Sequence, residues 1–157
     1  MTRGYDAGKK INGRKRHIAV DTLGLLLVIM VSPASIQDRR GGKALLWLLG
    51  QRFPSVKRVW ADGGYTGRLV TWLQSRFDVV LDIVKRNDDV HGFEVLPHRW
   101  IVERTFGWFM CHRRLCRDYE RLPKHAEAMA KWAMVAVMNK RLTRAPGHAV
   151  GYRKKVA

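Results

Sequence analysis

The run of apolar residues from Leu25 to Val31 places the strongest restriction on the fold of this chain. It has the length of a strand, and a strand that is apolar at every position must be covered on both faces. Upstream, from Arg14 to Thr22, Ile18 and Val20 alternate with other residues, and Thr22–Gly24 has the composition of a turn. We therefore predict a β-hairpin whose second strand lies between two layers of other structure.

Alternating helix and strand patterns follow the hairpin. Residues 1–13 indicate a flexible basic lead-in, because glycines recur there among lysines, and Asn87 to Pro97 indicates a loop. A hairpin followed by β-α-β units gives an α/β fold in which one mixed sheet is covered by helices. The elements predicted after the hairpin are a helix that starts within Ile36–Asp38 and runs to about Gly50, a strand from Val56 to Trp60, a helix from Gly67 to Phe77, a strand from Val79 to Val84, a helix from about His98 to Leu115 and a helix from about Lys124 to Leu142.

Large apolar side chains are assigned to the core. On the last predicted helix they recur at helical spacing, and methionines there are better explained as core filling than as a functional patch. Four tryptophans are likewise expected to be core residues rather than base-stacking surfaces. The residues concerned are Met129, Trp132, Ala133, Val135, Ala136 and Met138 of the last helix, and Trp60, Trp72, Trp100 and Trp108.

Asp62 lies at the C-terminal end of the strand predicted from Val56 to Trp60, directly before Gly63 and Gly64. In open sheets with parallel strands, binding sites form at this end of the strands. The glycines let backbone or substrate approach where a Cβ would obstruct. In so basic a chain, Asp62 is a candidate ligand for a divalent metal that acts on a phosphate backbone. The alternative is that it caps the following helix.

Glu103 is the second candidate carboxylate, within the helix predicted from His98 to Leu115. One interpretation is an ordinary ion pair with Arg99, four positions earlier. The other is that Glu103 faces Asp62 across the sheet edge, where the two could share Mg²⁺ or Mn²⁺, since hard cations prefer oxygen ligands. Positions three and four apart share a helix face, so the residues expected beside Glu103 are Arg99, Phe106, Gly107 and Met110.

The net charge of +17, from 30 Lys and Arg against 13 Asp and Glu, points to a polyanionic partner such as DNA or RNA. Two basic runs, Gly13 to His17 and His112 to Arg121, are dense in groups that suit phosphate contacts. The alternative for the second run is a solvated helix end. The candidate DNA contacts in these runs are Arg14, Lys15, Arg16, Arg113 and Arg114.

The sequence indicates a cytoplasmic location. No apolar stretch is long enough to span a membrane, and the N-terminus has no apolar signal region. Cys111 and Cys116 are five positions apart in a predicted helix and so lie on different faces, which makes a mutual disulfide unfavourable and fits a reducing compartment.

Several segments, in order along most of the chain, resemble bacterial insertion-sequence transposases of the DDE type, in the groups conventionally numbered four and five. They are Gly4-Tyr5-Asp6-Ala7-Gly8-Lys9-Lys10, Gly13-Arg14-Lys15-Arg16-His17, Val20-Asp21-Thr22-Leu23-Gly24, Ala61-Asp62-Gly63-Gly64-Tyr65, Arg99-Trp100-Ile101-Val102-Glu103-Arg104-Thr105-Phe106, Arg113-Arg114-Leu115 and Asp118-Tyr119-Glu120.

The resemblance implies a ribonuclease-H-like catalytic fold with a carboxylate triad that binds two Mg²⁺ ions for strand cleavage and strand transfer at transposon ends. By motif, Asp62 resembles the second Asp of the triad and Glu103 its Glu. Arg99 matches the Arg of the family's Tyr-Arg-Glu-Lys signature, whereas Leu96 and Met110 stand where its Tyr and Lys are expected. The resemblance also makes Arg99 and Arg104 candidate DNA contacts.

The first Asp of the triad has no counterpart here. In the family it lies on the first strand, upstream of the region that matches Gly4-Tyr5-Asp6. Before Asp62, the acidic residues are Asp6, Asp21 and Asp38, and Asp21, beside the hairpin turn, is not assigned the missing role. We therefore expect a fold that lacks its first, central strand. The chain is interpreted as the C-terminal part of a transposase, either a decayed copy or a downstream reading frame joined to its upstream partner by frameshifting.

The combined prediction is an incomplete DDE catalytic domain over residues 1–143 and a basic, flexible tail over 144–157. Its activity is metal-dependent phosphodiester hydrolysis and strand transfer, with the chain alone inactive and located in the cytoplasm with the nucleoid. The expected partners are DNA and a second copy or an upstream-frame polypeptide. The alternative is a non-catalytic DNA-binding remnant that acts as an inhibitor. An RNA-binding module ranks last, because the sequence lacks an aromatic RNA-binding signature.

Overall fold

The computed structural model of the protein describes residues 3–84 and 99–143. The loop predicted from Asn87 to Pro97 and the tail predicted over 144–157 lie outside these residues. No helix within the described ranges is long and apolar enough to cross a membrane. The elements, in chain order, are β1 (Gly4–Asp6), β2 (Ile11–Val20), β3 (Leu26–Pro33), α1 (Asp38–Arg52), β4 (Arg58–Asp62), α2 (Arg68–Phe77), β5 (Val80–Val84), α3 (Arg99–Met110), α4 (Arg113–Cys116) and α5 (Pro123–Leu142).

The first three strands form an antiparallel sheet in the order β1-β2-β3, which confirms the predicted hairpin. The prediction of a flexible lead-in is wrong from Gly4 onward, because β1 pairs with the start of β2, Gly4 opposite Gly13. The Asp6 carboxylate holds the intervening turn by accepting from the N–H groups of Gly8 and Lys9 at 3.0 and 3.1 Å. The hydrogen bond from Lys9, above the other causes, lowers the pKa of Asp6.

β3 is buried on both faces, as its continuous apolar run predicts. Adjacent Val28 and Ile29, which point to opposite faces, are 1% and 4% exposed. Val28 packs in a cluster with leucines of α1, whereas Ile29 packs with Phe109 of α3 and Ala130 of α5. The sheet therefore lies between α1 on one side and α3 and α5 on the other.

β4 and β5 pair in parallel, with Asp62 opposite Val84, and α2 connects them. This arrangement confirms the predicted β-α-β unit and the α/β class. The prediction of one mixed sheet is wrong for the described residues, because β4 and β5 form a two-stranded sheet of their own. β2 and β4 both border one cleft, and they do not pair with each other.

The helix predicted from His98 to Leu115 is interrupted. α3 ends at Met110, and His112, with extended backbone angles of φ −102° and ψ 113°, precedes the short α4. After this break, the Leu115 side chain of α4 lies in the core, where it is 2% exposed. The two thiols are free and exposed, Cys111 in the turn and Cys116 at the end of α4.

The predicted buried side of α5 is confirmed at Ala133 and in part at Met129, which is half-buried and packs against the core, and it is wrong at the other positions. Trp132 is 69% exposed, Val135 53% and Met138 41%, whereas the small residues on the other side face the sheet. Small side chains let two elements approach closely, so here alanine rather than the bulkier residues occupies the contact. The buried residues of α5 are Ala126, Ala130, Ala133 and Met134.

Candidate functional site

Asp62 is the last residue of β4 and leads directly into a 3₁₀ turn from Gly63 to Tyr65. Its side chain is exposed, and its Oδ1 accepts a hydrogen bond from the Gly64 N–H at 3.0 Å. The capping interpretation is thus confirmed for one oxygen, although the capped element is this turn and not α2. Oδ2 has no hydrogen-bond partner among the described residues and is free to act as a ligand.

Glu103 is exposed on α3, while Thr105 and Phe109, on another side of the helix, are fully buried. The Thr105 hydroxyl donates to the Gly24 carbonyl at 2.7 Å, which ties α3 to the turn between β2 and β3. A buried hydrogen bond of this kind fixes the helix that carries Glu103.

The described residues leave part of the side of α3 that carries Glu103 uncovered. A Cβ added at Gly107 would meet no atom of the described residues within 4 Å, and Met110 is 54% exposed. No neighbouring element of the described structure therefore uses the space that Gly107 leaves. The predicted ion pair of Glu103 with Arg99 involves a side chain outside the described part of the protein.

Asp62 and Glu103 border the same cleft, which has a volume of about 630 Å³ and is walled by β2, β4, α1 and α3. Two carboxylates selected from separate stretches of sequence are thus brought to one site. Asp21 also borders the cleft, but its Oδ1 accepts from the N–H groups of Leu23 and Leu25 at 2.9 and 2.7 Å. Asp21 therefore holds the hairpin turn.

The donor chemistry of the cleft fits part of a magnesium site. Mg²⁺ commonly binds through one or two carboxylates, with water and phosphate oxygens completing its shell, and Asp62 and Glu103 supply two. Within residues 3–84 and 99–143, no group of three or more His, Cys, Asp or Glu side chains is placed to hold a metal. Asp6 and Asp38 instead lie 3.7 and 3.1 Å from Lys15. A pair of ions would need further ligands.

Tyr65 and His17 also line the cleft, and neither was a candidate from the sequence. The Tyr65 ring packs against Gly42 and leaves no room for a Cβ there; burial raises the pKa of Tyr65. His17 lies against Gly41 with its Nε2 2.9 Å from Ser32 Oγ, and burial lowers its pKa. The sequence feature that could have indicated these two contacts is the pair of consecutive glycines within a predicted helix, since glycine permits close approach by neighbouring side chains.

Arg14, Lys15 and Arg16 are engaged within the protein. The Arg14 side chain is 2% exposed and is ion-paired with Asp118. Arg16 donates to the Leu115 carbonyl at 2.6 Å, and Lys15 has the acidic partners described above. The contacts of Arg14 and Arg16 fasten β2 to the segment that includes and follows α4, whereas Lys15 joins β2 to β1 and α1. DNA contact at the three residues stays a prediction.

Arg104 lies between two tryptophans of its own helix. Its guanidinium carbon is 4.4 Å from the Trp100 ring centroid and 5.0 Å from that of Trp108, distances typical of cation–π contacts. Arg141 of α5 lies 4.3 Å from the same Trp108 ring. Arg104 also donates to the Leu23 carbonyl at 2.9 Å. The structure thus uses Arg104 to join α3 to the hairpin turn, and its contact with DNA stays a prediction.

The four tryptophans assigned to the core are only partly buried. Trp60 and Trp100 are 39% and 48% exposed, and Trp72 and Trp108 are intermediate. The assignment is therefore wrong for Trp60 and Trp100. The indole ring is large and carries a polar N–H, so tryptophan is seldom enclosed completely.

Exposed basic residues follow α3. Arg113 and Arg114 begin α4, and Arg114 lies 2.8 Å from Glu120 while keeping 62% of its side chain exposed. Arg113 is exposed and forms no ion pair within the described ranges. We call the following residues the basic segment: Arg113, Arg114, Arg117, Arg121 and Lys124, all exposed. Exposed guanidinium groups suit bidentate contacts to phosphate.

Comparison with known proteins places these features in a family. The family model described as "Transposase DDE domain" matches residues 1–138. A Burkholderia cepacia protein assigned as a transposase of insertion sequence element IS402 is 29% identical over 116 residues, which cover 69% of this chain and 54% of the relative. This chain thus spans about half the length of that curated relative. No solved structure matches the chain. Because the family model covers well over half of the sequence, the chain belongs to the DDE transposase domain family.

Proposed function

We propose that the chain forms part of the catalytic domain of an insertion-sequence transposase, which hydrolyses phosphodiester bonds at the element ends and transfers the freed ends to target DNA. The observation that carries the proposal is that Asp62 and Glu103 border one cleft in a member of this family. The net charge of +17 supports DNA as the partner. In the cell, such a protein would lie with the nucleoid in the cytoplasm.

We also propose that the fold is ribonuclease-H-like. An antiparallel hairpin followed by a parallel β-α-β unit, with helices against the sheet, supports this arrangement. In it, β4 ends at Asp62, and α3 carries Glu103 to the same cleft.

In this mechanism, the carboxylate oxygens of Asp62 and Glu103 would hold Mg²⁺ or Mn²⁺, with two ions in the complete site. The metal would stabilise charge on the phosphate oxygens and lower the pKa of the attacking water. Arg113 and Arg114 hold backbone phosphates. Hydrolysis adds water across the bond between phosphorus and the 3′ oxygen and leaves a 3′-hydroxyl. In strand transfer, that oxygen bonds to a target phosphorus while the target's own 3′ oxygen leaves with the proton.

We propose that these residues alone bind DNA without cutting it. The described ranges hold no group of three or more metal-ligand side chains, and the chain spans about half of its curated relative. Further carboxylates would come from another part of a transposase, either in a longer polypeptide, a second copy or an upstream-frame product. A truncated or split-frame origin of the chain fits this proposal.

A second candidate function is a non-catalytic inhibitor that occupies DNA or pairs with complete transposase. The absence of three grouped metal-ligand side chains within residues 3–84 and 99–143 supports it, because a protein with the basic segment could still bind DNA. Metal-dependent cutting separates the two candidates.

Nicking of supercoiled plasmid tests the proposed function. The purified chain is incubated with plasmid and Mg²⁺ or Mn²⁺, alone and together with the remainder of a related transposase. We expect nicked circles only when the remainder and the metal are both present, with chelator as the control. DNA binding without nicking in every mixture would support the inhibitor, and nicking in the presence of chelator would contradict the proposed chemistry.

Arg113→Ala is expected to weaken DNA binding without loss of stability. The side chain is exposed and forms no ion pair in the described ranges, so its removal deletes only a phosphate contact. Losing one such contact reduces the slope of log affinity against log salt by about 0.9. Fluorescence anisotropy on a short duplex, over a series of salt concentrations, measures this slope.

Arg14→Met is the matched control, since it removes the same charge from a side chain that is 2% exposed and ion-paired with Asp118. We expect a lower melting temperature and an unchanged salt slope, because breaking a buried ion pair leaves its partner uncompensated. A salt slope that is unchanged in Arg113→Ala would remove the basic segment from the DNA interface.

A further inference from the structure

β2 carries basic side chains to both faces of the first sheet, because successive residues of a strand point to opposite faces. Arg14 and Arg16 both contact the segment that includes and follows α4. Lys15, between them, points the other way, and its Nζ lies 3.1 Å from the carboxylate of Asp38 at the start of α1. The basic segment and the start of α1 therefore lie on opposite sides of β2.

Lys15 also joins the turn between β1 and β2 to the start of α1. Its Nζ lies 3.7 Å from the Asp6 carboxylate, which itself accepts from the Lys9 N–H within the turn. The same Nζ donates to the Ile36 carbonyl at 3.1 Å, just before α1 begins. The side chains of the turn and those of the first turns of α1 are therefore held next to each other on one surface.

Exposed cations from both elements project from this surface. Those of α1 are three and four positions apart, so they share a helix face, away from the buried Gly41 and Gly42. The Lys43 Nζ lies 4.9 Å from the Trp72 ring centroid, in a cation–π contact that leaves its charge in place. We call the following residues the second basic surface, all exposed and none in an ion pair within residues 3–84 and 99–143: Lys9, Lys10, Arg39, Arg40 and Lys43.

Cations on the second sheet differ in this respect, because they have acidic partners. Lys57 lies 3.5 Å from Asp78, and Arg58 lies 3.0 Å from Asp82. The carboxylates beside the second basic surface are instead taken up by Lys15, as described above. The second basic surface thus keeps an excess of positive charge, which is complementary to a phosphate backbone.

One duplex cannot serve both basic surfaces from opposite sides of the sheet. DNA has a persistence length of about 150 bp, so a duplex lying along the basic segment stays nearly straight over the width of a domain of this size. β2 and the layers packed on its two faces separate that duplex from the second basic surface. Phosphate contacts at both surfaces therefore require two duplex segments.

We propose that the second basic surface binds the phosphate backbone of a DNA duplex, so that one copy of the chain holds two duplex segments, one on each side of its first sheet. Contacts from lysine and arginine to phosphate carry no sequence information, so this surface accepts duplex of any sequence. Arg39 and Arg40 can each form bidentate contacts to a phosphate group. The inference rests on DNA as the partner in the proposed function and adds a second place at which the chain binds it.

Stepwise binding of two duplexes tests the proposal on the full chain. The chain is loaded on a short biotinylated duplex that is fixed to a surface-plasmon-resonance chip, unbound protein is washed away, and a second duplex of unrelated sequence is injected. We expect saturable binding of the second duplex. Sedimentation equilibrium with excess duplex in solution should give two duplexes for each chain. One duplex for each chain would mean a single continuous site and would overturn the proposal.

The double variant Lys10→Ala and Arg40→Ala separates the two binding steps. Both side chains are exposed, so we expect the circular dichroism spectrum and the melting temperature to be retained. Loading on the first duplex should persist through the basic segment. We expect the affinity for the second duplex to fall at least about tenfold, and the slope of its log affinity against log salt to decrease by about 1.8, since two phosphate contacts are lost.

The double variant Arg52→Ala and Lys131→Ala is the matched control. It removes the same charge from exposed positions outside both basic surfaces, and we expect it to bind the second duplex as the unaltered chain does. Second-step binding that is unchanged in the Lys10 and Arg40 variant, or weakened equally in the control, would overturn the proposal. Failure of the unaltered chain to load on the first duplex would contradict the proposed function as well, whereas failure at the second step alone would contradict only this inference.

Discussion

Asp62→Asn and Glu103→Gln are each expected to abolish metal-dependent strand cleavage in a complete transposase that contains this chain, as are the alanine variants. Asparagine keeps the acceptor for the Gly64 N–H, so the turn survives and the loss reports the missing charge. We expect cleavage to fall by roughly 10³-fold or more, the scale of removing a group that stabilises charge in a transition state. DNA affinity should stay the same or rise slightly, since a negative charge leaves the cleft. Plasmid nicking and anisotropy measure the two effects.

Asp21→Asn is the matched control for these variants. Asp21 borders the same cleft, and asparagine can still accept from the N–H groups of Leu23 and Leu25. We expect this variant to cleave at the rate of the unaltered protein. Unimpaired cleavage by the Asp62 or Glu103 variant would exclude that residue as a metal ligand.

Phe109→Ala should lower the free energy of unfolding more than the other substitutions, Arg14→Met and Met110→Ala included. The ring is 0% exposed and packs with Ile29, Leu115 and Ala130 in the cluster that joins α3, α4 and α5 to β3. Truncating a buried phenylalanine typically lowers the free energy of unfolding by about 3–5 kcal/mol, because apolar contacts are lost and a cavity remains. Urea denaturation followed by circular dichroism measures the change in midpoint.

Met110→Ala provides the comparison at the next position of the same helix. Its side chain is 54% exposed, so we expect a change within about 0.5 kcal/mol. Similar losses in the two variants would mean that α3 does not pack through Phe109.

Local sequence patterns were sufficient to predict the hairpin, the β-α-β unit and most element boundaries. Leu25 to Val31 predicts a strand covered on both faces, and the paired burial of Val28 and Ile29 confirms it. The position of Asp62 at the end of β4 followed in the same way from the strand that precedes it. These features depend on residues that are close in sequence.

The contacts that the sequence did not predict join distant residues. Arg14 was a candidate phosphate contact because it is an arginine within a basic run. Its partner Asp118, however, is 104 positions away in the sequence and removes the Arg14 side chain from the surface. α5 carries apolar residues on more than one side, so periodicity alone could not choose between Ala130 and Trp132 as the buried residue. β1 was missed because its turn depends on the Asp6 side chain rather than on apolar alternation.

The turn between β2 and β3 has a consequence for the geometry of the proposed metal site. Gly24 adopts a positive φ of 78°, and a Cβ there would lie 3.0–3.2 Å from side-chain atoms of Thr105, Trp108 and Arg104. Any larger residue would strain the backbone and push α3 away from the sheet. Because Glu103 is carried by α3, the width of the gap between the two carboxylates depends on the smallness of a residue that contacts neither.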